Sequence, residues 1–174
     1  MVLVGPMGSG KSTIGRQLVD QFVARIRMVF VDLDEVIVGK AGKSIPRIFE
    51  EDGECVFRAL ESEGLEMLTA DSESKVIATG GGAVLSSPNR ERMKKAGPII
   101  WLDASPEVLA ARTANDPNRP LLKDVDPLQK ARELDRQRRP VYEACADFRV
   151  DTSLLSVNEA VEEIAGFLSE YADE

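Results

Sequence analysis

Residues 5–13 read Gly-Pro-Met-Gly-Ser-Gly-Lys-Ser-Thr and directly follow a short apolar run at residues 2–4. The segment matches G-x-x-x-x-G-K-[ST], the P-loop pattern, which joins a strand to a helix. Its glycines allow a tight loop whose backbone N–H groups point at phosphate oxygens, and the following helix adds the positive end of its dipole. Lys11 would bring positive charge to the β- and γ-phosphates, and the Ser12 hydroxyl can bind Mg²⁺. We favour nucleotide binding over a chance glycine-rich turn, because the predicted strand and helix stand where the pattern needs them.

The rest of the chain alternates short apolar runs with longer segments of helical periodicity. The runs are rich in β-branched residues and lack polar alternation, which is typical of strands buried on both faces. They lie at 2–4, 28–31, 76–78, 99–102 and 148–150. The helical segments lie at 11–23, about 54–70, 106–114, 127–146 and 157–171, with a short helix begun by Ser44 and Pro46. This alternation predicts a three-layer α/β/α fold with a central five-stranded parallel sheet, and 174 residues suit a single domain over 1–174.

Composition excludes several classes of function. The formal net charge is −8, which disfavours general binding to nucleic acid or anionic membranes. The chain has no histidine, so Ser-His-Asp and Cys-His catalysis and histidine-ligated metal sites are excluded. Cys55 and Cys145 are too few for a zinc cluster or a disulfide framework. We interpret them as two reduced core cysteines, although a single bridge remains an alternative.

The sequence also predicts the protein's cellular location and oligomeric state. No apolar run approaches the ~20 residues that span a bilayer, and no charged segment followed by an apolar stretch opens the chain. We therefore expect a cytoplasmic protein, and a monomer because no dimerisation stripe is evident.

Residues 115–126 are polar and punctuated by prolines, which predicts a surface loop acting as a lid.

Two polar segments follow predicted strands, where a parallel sheet binds its ligands. Asp32 and Asp34 come after the run at 28–31, and two carboxylates two residues apart point to the same side if the strand persists. One would hold Mg²⁺ through water and the other would accept a hydrogen bond from an attacking hydroxyl; a solvated turn is the equally weighted alternative. The glycine turn, residues 80–82, comes after the run at 76–78. We favour close approach of a ligand to its backbone over a merely flexible turn.

Three arginines, Arg58, Arg119 and Arg138, are candidates for anion binding. Each alone is more often a solvated surface charge. In a chain with a net charge of −8, however, an anionic nucleotide and acceptor need local positive charge. Guanidinium groups bind carboxylate and phosphate bidentately. Sequence spacing does not show whether the three arginines converge.

Together these motifs resemble those of the shikimate kinase family, in the nucleoside-monophosphate-kinase-like branch of P-loop proteins. The motifs occur in family order over nearly the whole chain. They are residues 5–13, 32–34, 44–49, 53–54, 57–58, 80–84, 119–122 and 138–142. The resemblance implies the P-loop kinase fold and transfer of the ATP γ-phosphate to the 3-hydroxyl of shikimate, giving shikimate 3-phosphate and ADP. This reaction belongs to the route to chorismate and the aromatic amino acids.

The resemblance also assigns residues to the nucleotide and its metal. Asp32 would assist Mg²⁺ through water, together with the Ser12 hydroxyl. Arg119 would descend from the lid onto the phosphates, and Arg112 resembles the arginine that flanks adenine. Adenine contacts near residues 152–157 would be apolar or from the backbone. The phosphates would lie against Gly8, Ser9, Gly10, Lys11, Ser12 and Thr13.

On the acceptor side, Asp34 would bind the shikimate hydroxyls and act as the candidate base. Arg58 and Arg138 would clamp the shikimate carboxylate. The shikimate-binding helices would span about residues 33–62. Further acceptor contacts would come from Gly80, Gly81 and Gly82, and the catalytic set would be Lys11, Asp34 and Arg119.

Two other functions compete with this hypothesis. One is a different small-molecule P-loop kinase, such as a gluconate kinase. Arg58, Arg138 and the glycine turn argue against it, because they suit a cyclic hydroxy-carboxylate. The other is a nucleotide-dependent regulatory module, which would have lost acceptor-side groups, yet Asp34 is present with both arginines.

Overall fold

The computed structural model describes residues 1–22, 28–70, 73–114 and 126–171. Its centre is a parallel sheet of five strands in the order β2-β3-β1-β4-β5. Val2 in the middle strand pairs with Ile77 on one side and Ile99 on the other. The strands are β1 (Val2–Val4), β2 (Val29–Asp32), β3 (Lys75–Ala78), β4 (Ile99–Asp103) and β5 (Phe148–Asp151).

Helices connect the strands, and their described bounds are as follows. The first four are α1 (Lys11–Phe22), α2 (Leu33–Ala41), α3 (Ile45–Glu51) and α4 (Gly53–Thr69). The other four are α5 (Ser87–Ala96), α6 (Pro106–Thr113), α7 (Pro127–Cys145) and α8 (Val157–Tyr171). A short 3₁₀ helix, Ala83–Leu85, precedes α5.

Alternate side chains of the buried strands build a separate hydrophobic core on each face of the sheet. Val2, Val4 and Trp101 face a core that α2 to α5 and α7 complete. Leu3 and Ile100 face the opposite core, which α1 and α8 complete. Both faces are covered because a parallel sheet with apolar residues on each side must bury both. The predicted three-layer fold and its five parallel strands are confirmed.

Helix α5 and the cap of α3 differ from the sequence expectation. Helix α5 was not predicted, because within it only Asn89 and Met93 are buried, so it has no apolar stripe to detect. Ser44 does stand at the N-cap of α3 with a proline in the first turn, but its side chain makes no capping hydrogen bond.

The two cysteines are free thiols in different environments. Cys145 is buried, as expected. Cys55 is exposed, so its predicted core position is wrong. Cys55 lies two residues before the buried Phe57 on α4. Two residues correspond to about 200° of rotation around the helix axis, so the Cys55 side chain points away from the core. Separately, no helix in the described ranges is long and apolar enough to cross a membrane.

Candidate active site

The phosphate-binding loop connects β1 to α1 at the carboxyl end of the sheet. Gly8 and Gly10 have φ values of +81° and +92°, in the region that favours glycine. A Cβ on Gly8 would also lie 2.9 Å from the Thr113 methyl carbon of α6. The pattern therefore contains glycine here for two reasons, a backbone conformation and a close approach.

Lys11 opens α1 and reaches back over this loop. Its ammonium Nζ donates hydrogen bonds to the carbonyls of Gly5 at 2.9 Å and Pro6 at 2.8 Å. The loop borders a cavity of about 520 Å³. The cavity is lined by residues 7–14, by Asp32, Asp34, Ala78, Thr79, Gly80, Gly81 and Arg112, and by Thr152, Leu155, Ser156, Val157 and Ala160.

Asp32 and Asp34 both line this cavity, but not as two residues of one strand. Strand β2 ends at Asp32, which is the N-cap of α2 and accepts a hydrogen bond from the Asp34 backbone N–H at 3.0 Å. The expectation that a persisting strand aligns the carboxylates is therefore wrong, because the chain turns into a helix after Asp32. Ser12 Oγ donates to Asp32 Oδ2 at 2.6 Å, so the hydroxyl and the carboxylate predicted to serve one metal are adjacent.

This donor set fits Mg²⁺. The described residues hold no group of three acidic or cysteine side chains able to bind a metal alone. Mg²⁺ usually binds to one or two carboxylates together with substrate phosphates and waters. Asp32 and Ser12 supply the hard oxygen ligands that such a shared site needs from the protein.

The glycine turn contributes Gly80 and Gly81 to the cavity lining and is packed against charged side chains. A Cβ on Gly80 would lie 2.8 Å from Glu61 Oε1, and one on Gly82 would lie 2.5 Å from the Arg58 guanidinium. A Cβ on Gly81 would lie 3.2 Å from Arg138 Nη1. None of the three glycines has a positive φ. Glycine is needed here for space, and the groups that use this space are side chains of the protein itself.

Arg58 and Arg138 thus meet the same short turn from two different helices. Arg58 lies on α4, and Arg138 lies on α7 with only 7% of its surface exposed. The Nε of Arg138 has no hydrogen-bond partner among the described residues. The structure therefore brings these two predicted arginines together, which spacing alone had left open.

Glu61 lies against the glycine turn and was missed by sequence reasoning. It is 1% exposed and accepts a hydrogen bond from Arg58 Nη1 at 2.7 Å. Burial raises the pKa of Glu61, Arg58 opposes that rise, and the nearby Asp34 carboxylate adds to it. A signal was available, because Glu61 lies four residues from both Phe57 and Leu65 on the buried face of α4.

Tyr142 was predicted only as a member of the motif at residues 138–142, yet it also contacts the glycine turn. It is buried on α7, and its hydroxyl donates to the Gly81 carbonyl at 2.5 Å. Burial raises the pKa of Tyr142 well above its ordinary value, so the phenol stays protonated at neutral pH. It is one helical turn after Arg138, which places both side chains on one face of α7.

Arg112 lines the cavity beside the phosphate-binding loop. Its guanidinium donates to the Gly8 carbonyl at 3.2 Å and to the Thr152 carbonyl at 2.7 Å, so α6 is tied to both the loop and the end of β5. Leu155, Ser156 and Val157 line the cavity beside it. This wall combines apolar Leu155 and Val157 with polar Thr152 and Ser156, and the adenine contacts expected near residues 152–157 stay a prediction.

The predicted lid falls mostly outside the described residues. Arg119 and residues 115–125 lie there, so the assignment of Arg119 to the phosphates stays a prediction. Asp126, at the end of the predicted lid, is described and is the N-cap of α7, where its carboxylate accepts from Leu128 N.

Comparison with known proteins gives consistent results. A family model for shikimate kinase matches residues 7–169. The chain is 48% identical over 157 residues to the shikimate kinase of Thiobacillus denitrificans, covering 90% of this chain and 83% of that protein. It is 42% identical over 164 residues to the shikimate kinase of Xanthomonas campestris pv. campestris, covering 94% and 88%.

Two solved structures are similar to this chain over almost its full length. The shikimate kinase of Acinetobacter baumannii in complex with shikimate has a TM-score of 0.90 at 38% identity, covering 98% of this chain and 92% of that one. The shikimate kinase of Aquifex aeolicus has a TM-score of 0.80 at 36% identity, covering 98% and 96%.

Proposed function

This chain belongs to the shikimate kinase family, and from that premise we propose how its cavity transfers the γ-phosphate of ATP to the 3-hydroxyl of shikimate. One observation carries the proposal. The phosphate-binding loop, Asp34 and the first two glycines of the glycine turn line one cavity, and Arg58 and Arg138 flank that turn. The enzyme is a phosphotransferase of aromatic biosynthesis that uses ATP.

The nucleotide occupies the end formed by the loop and Arg112. Backbone N–H groups of the loop hold the phosphates, and the Lys11 ammonium stabilises the negative charge that moves onto the bridging oxygen as the γ-phosphate leaves. Arg112 and the apolar wall near residues 155–157 border the adenine. The phosphate contacts are Gly8, Ser9, Gly10, Lys11, Ser12 and Thr13.

Ser12 and Asp32 would hold Mg²⁺, with Asp32 acting through water. When bound, the ion would neutralise phosphate charge and orient the transferring group. The protein's own part is to keep the Ser12 hydroxyl and the Asp32 carboxylate in contact at the end of β2. Arg119 would add positive charge from the lid, a role that rests on its position in the motif alone.

The acceptor occupies the end formed by the glycine turn. Arg58 and Arg138 bind the shikimate carboxylate, which fixes the ring and directs a hydroxyl toward the γ-phosphorus. Asp34 accepts a hydrogen bond from that hydroxyl and takes its proton as the new O–P bond forms. The backbones of Gly80, Gly81 and Gly82 complete the wall against the ring.

The deciding experiment is a coupled assay for ADP release with Mg²⁺-ATP, run with shikimate, with gluconate and with no acceptor. We expect release to depend on shikimate. Stimulation of ADP release by gluconate instead would favour the alternative of a gluconate kinase. ATP binding without stimulation by either acceptor would favour a regulatory module.

Lys11→Ala provides the matching test of the loop. Removing the ammonium should lower kcat by more than about a hundredfold, because its charge acts on the transferring group. Lys95→Ala on α5, which is exposed, serves as the control and should leave kcat unchanged. Near-normal turnover by Lys11→Ala would contradict the assignment of the loop.

We also propose that the enzyme acts as a cytoplasmic monomer without a nucleic-acid or membrane partner. The net charge of −8 supports this by disfavouring polyanionic partners. Light scattering at assay concentrations tests the monomer, for which a mass near 19.0 kDa is expected.

A further inference from the structure

We propose that Tyr142 is a positioning residue, whose hydroxyl is anchored on the Gly81 carbonyl and holds the Arg138 guanidinium in place for the acceptor carboxylate. The inference rests on the proposed function and adds to it a residue that touches neither substrate. Tyr142 is 3% exposed and follows Arg138 by one turn of α7.

Three groups converge at one point beside the turn. The Tyr142 hydroxyl donates to the Gly81 carbonyl at 2.5 Å. A Cβ on Gly81 would lie 3.2 Å from Arg138 Nη1 and 3.4 Å from the Tyr142 hydroxyl oxygen, so both polar groups reach the same side of this residue. Any side chain on residue 81 would enter that space.

The hydrogen bond between the Tyr142 hydroxyl and the Gly81 carbonyl has a defined direction. Burial raises the pKa of Tyr142, and the adjacent Arg138 guanidinium opposes that rise. The phenol is therefore a neutral donor, whose single proton goes to the Gly81 carbonyl. Its oxygen lone pairs are left for the guanidinium.

The ring below the hydroxyl is held by the sheet. Tyr142 stacks on Trp101 of β4, with ring centroids 5.7 Å apart and an angle of 19° between the planes. The guanidinium groups of Arg139 and Arg149 lie over Trp101, 5.2 Å and 5.0 Å from its centroid. The hydroxyl is thus fixed relative to β4, and it sets where the glycine turn and Arg138 stand.

Arg138 depends on this support because its own polar contacts are few. Its Nε has no hydrogen-bond partner among the described residues, although the side chain is almost fully buried. Without the Tyr142 hydroxyl the guanidinium would sample other positions. Such movement affects binding of the acceptor carboxylate and leaves the phosphate end of the cavity unchanged.

The test is Tyr142→Phe, which keeps the stacked ring and removes only the hydroxyl. We expect the KM for shikimate to rise by about fivefold to tenfold, which corresponds to the net free energy of one ordinary hydrogen bond. The KM for ATP and kcat should change by less than about twofold. Cys145→Ala is the control, because it perturbs the same buried face of α7 and should lower the melting temperature without changing the KM for shikimate.

Arg138→Ala supplies the second readout. If Tyr142 acts through Arg138, adding Tyr142→Phe to Arg138→Ala should raise the KM for shikimate by less than about twofold more. An additive increase in the double variant would overturn the proposal. A Tyr142→Phe enzyme whose KM for shikimate is unchanged, or whose two KM values rise together, would overturn it as well.

The same data separate this inference from the proposed function. Shikimate-dependent ADP release by the unmodified chain, with unchanged kinetics in Tyr142→Phe, overturns the role of Tyr142 alone. No shikimate-dependent release by the unmodified chain overturns both.

Discussion

Gly82 shows how much of the acceptor end depends on the absence of one carbon atom. Its Cβ would lie 2.5 Å from Arg58 Nη2 and 2.6 Å from Nη1, closer than side chains approach one another. The backbone of Gly82 is in an ordinary helical region, with φ −102°. A side chain at residue 82 would therefore be tolerated by the backbone and would act only by moving Arg58.

Gly82→Ala should raise the KM for shikimate by about tenfold while leaving the KM for ATP unchanged, since the displaced group is the end of a flexible arginine. Steady-state kinetics with each substrate varied measure both values. Gly166→Ala, in the middle of α8 with open space around it, is the control and should stabilise the helix by about 1 kcal/mol without changing either KM. Equal effects of the two substitutions on the KM for shikimate would contradict the argument.

Glu61 adds a pH dependence at the same end of the cavity. Burial raises its pKa above the ordinary value of about 4.5, so the folded protein binds this proton more tightly than the unfolded chain does. Its contribution to stability is therefore most favourable below pH 4.5 and declines as the pH rises through the raised pKa.

Glu61→Gln lacks this titration. Relative to the unmodified protein, the variant should become progressively more stable as the pH rises from about 4.5 toward neutrality, and the difference should stay constant below that range. Denaturant melts of both proteins over a pH series give the difference. A difference that changes in the opposite direction would mean that pairing with Arg58 outweighs burial.

At the scale of elements, α7 is attached to the sheet by charge as well as by packing. Asp103 at the end of β4 is 2% exposed and accepts two hydrogen bonds from Arg139 of α7, both at 2.9 Å. Arg149 of β5 donates to the same carboxylate at 2.7 Å. Pro140, the next residue of α7, lacks the N–H that would bond to the Arg136 carbonyl. The ion pair thus attaches the helix beside its weakest backbone position.

Asp103→Ala should therefore lower the free energy of unfolding by about 2 kcal/mol, because two arginines lose a buried carboxylate, although their partial exposure reduces the loss. Arg149→Ala should cost less than about 1 kcal/mol, since that side chain is half exposed and Arg139 still pairs with Asp103. Urea denaturation midpoints compare the two. Similar losses in both variants would show that the carboxylate acts mainly through Arg149.

At the scale of the whole molecule, the acidic chain gathers positive charge locally, where we propose that its two anionic substrates bind. The net charge is −8, yet Lys11, Arg58, Arg112 and Arg138 all lie around the region between the loop and the glycine turn. Strands β1 and β3 end at this region, and helices from both faces of the sheet reach it. Binding there should link elements that otherwise belong to separate hydrophobic cores.

Shikimate at about a hundred times its Kd should stabilise the fold by about 2.7 kcal/mol, which is roughly 5–10 °C in Tm for a chain of this size. The same concentration should give Arg138→Ala almost no shift, because the proposed clamp on the carboxylate would be incomplete. Differential scanning calorimetry measures both. An equal shift in the two proteins would place the carboxylate elsewhere.

Local patterns in the sequence were sufficient for the frame of the molecule. The loop at residues 5–13 and the five apolar runs depend on neighbouring residues, through glycine conformations and through consecutive apolar side chains. The expected burial on both faces holds for β1, β3 and β4 but is wrong for the edge strands β2 and β5, which are only partly buried. Helix α5 could not be predicted in this way, since a helix with so few buried residues has no periodic signal. The end of β2 was misjudged because Asp32 acts as a helix cap.

The site was predicted as a set of residues, and tertiary structure decided how they work together. The sequence by itself determined the P-loop, the parallel α/β frame and the candidate charges, because each is written in short-range spacing and composition. Only the fold decided that Arg58 and Arg138 flank one turn, that Glu61 is the buried partner of Arg58, and that Tyr142 bonds to Gly81. Those contacts join residues on separate elements or depend on burial, and burial is a property of the packed chain that no local pattern contains.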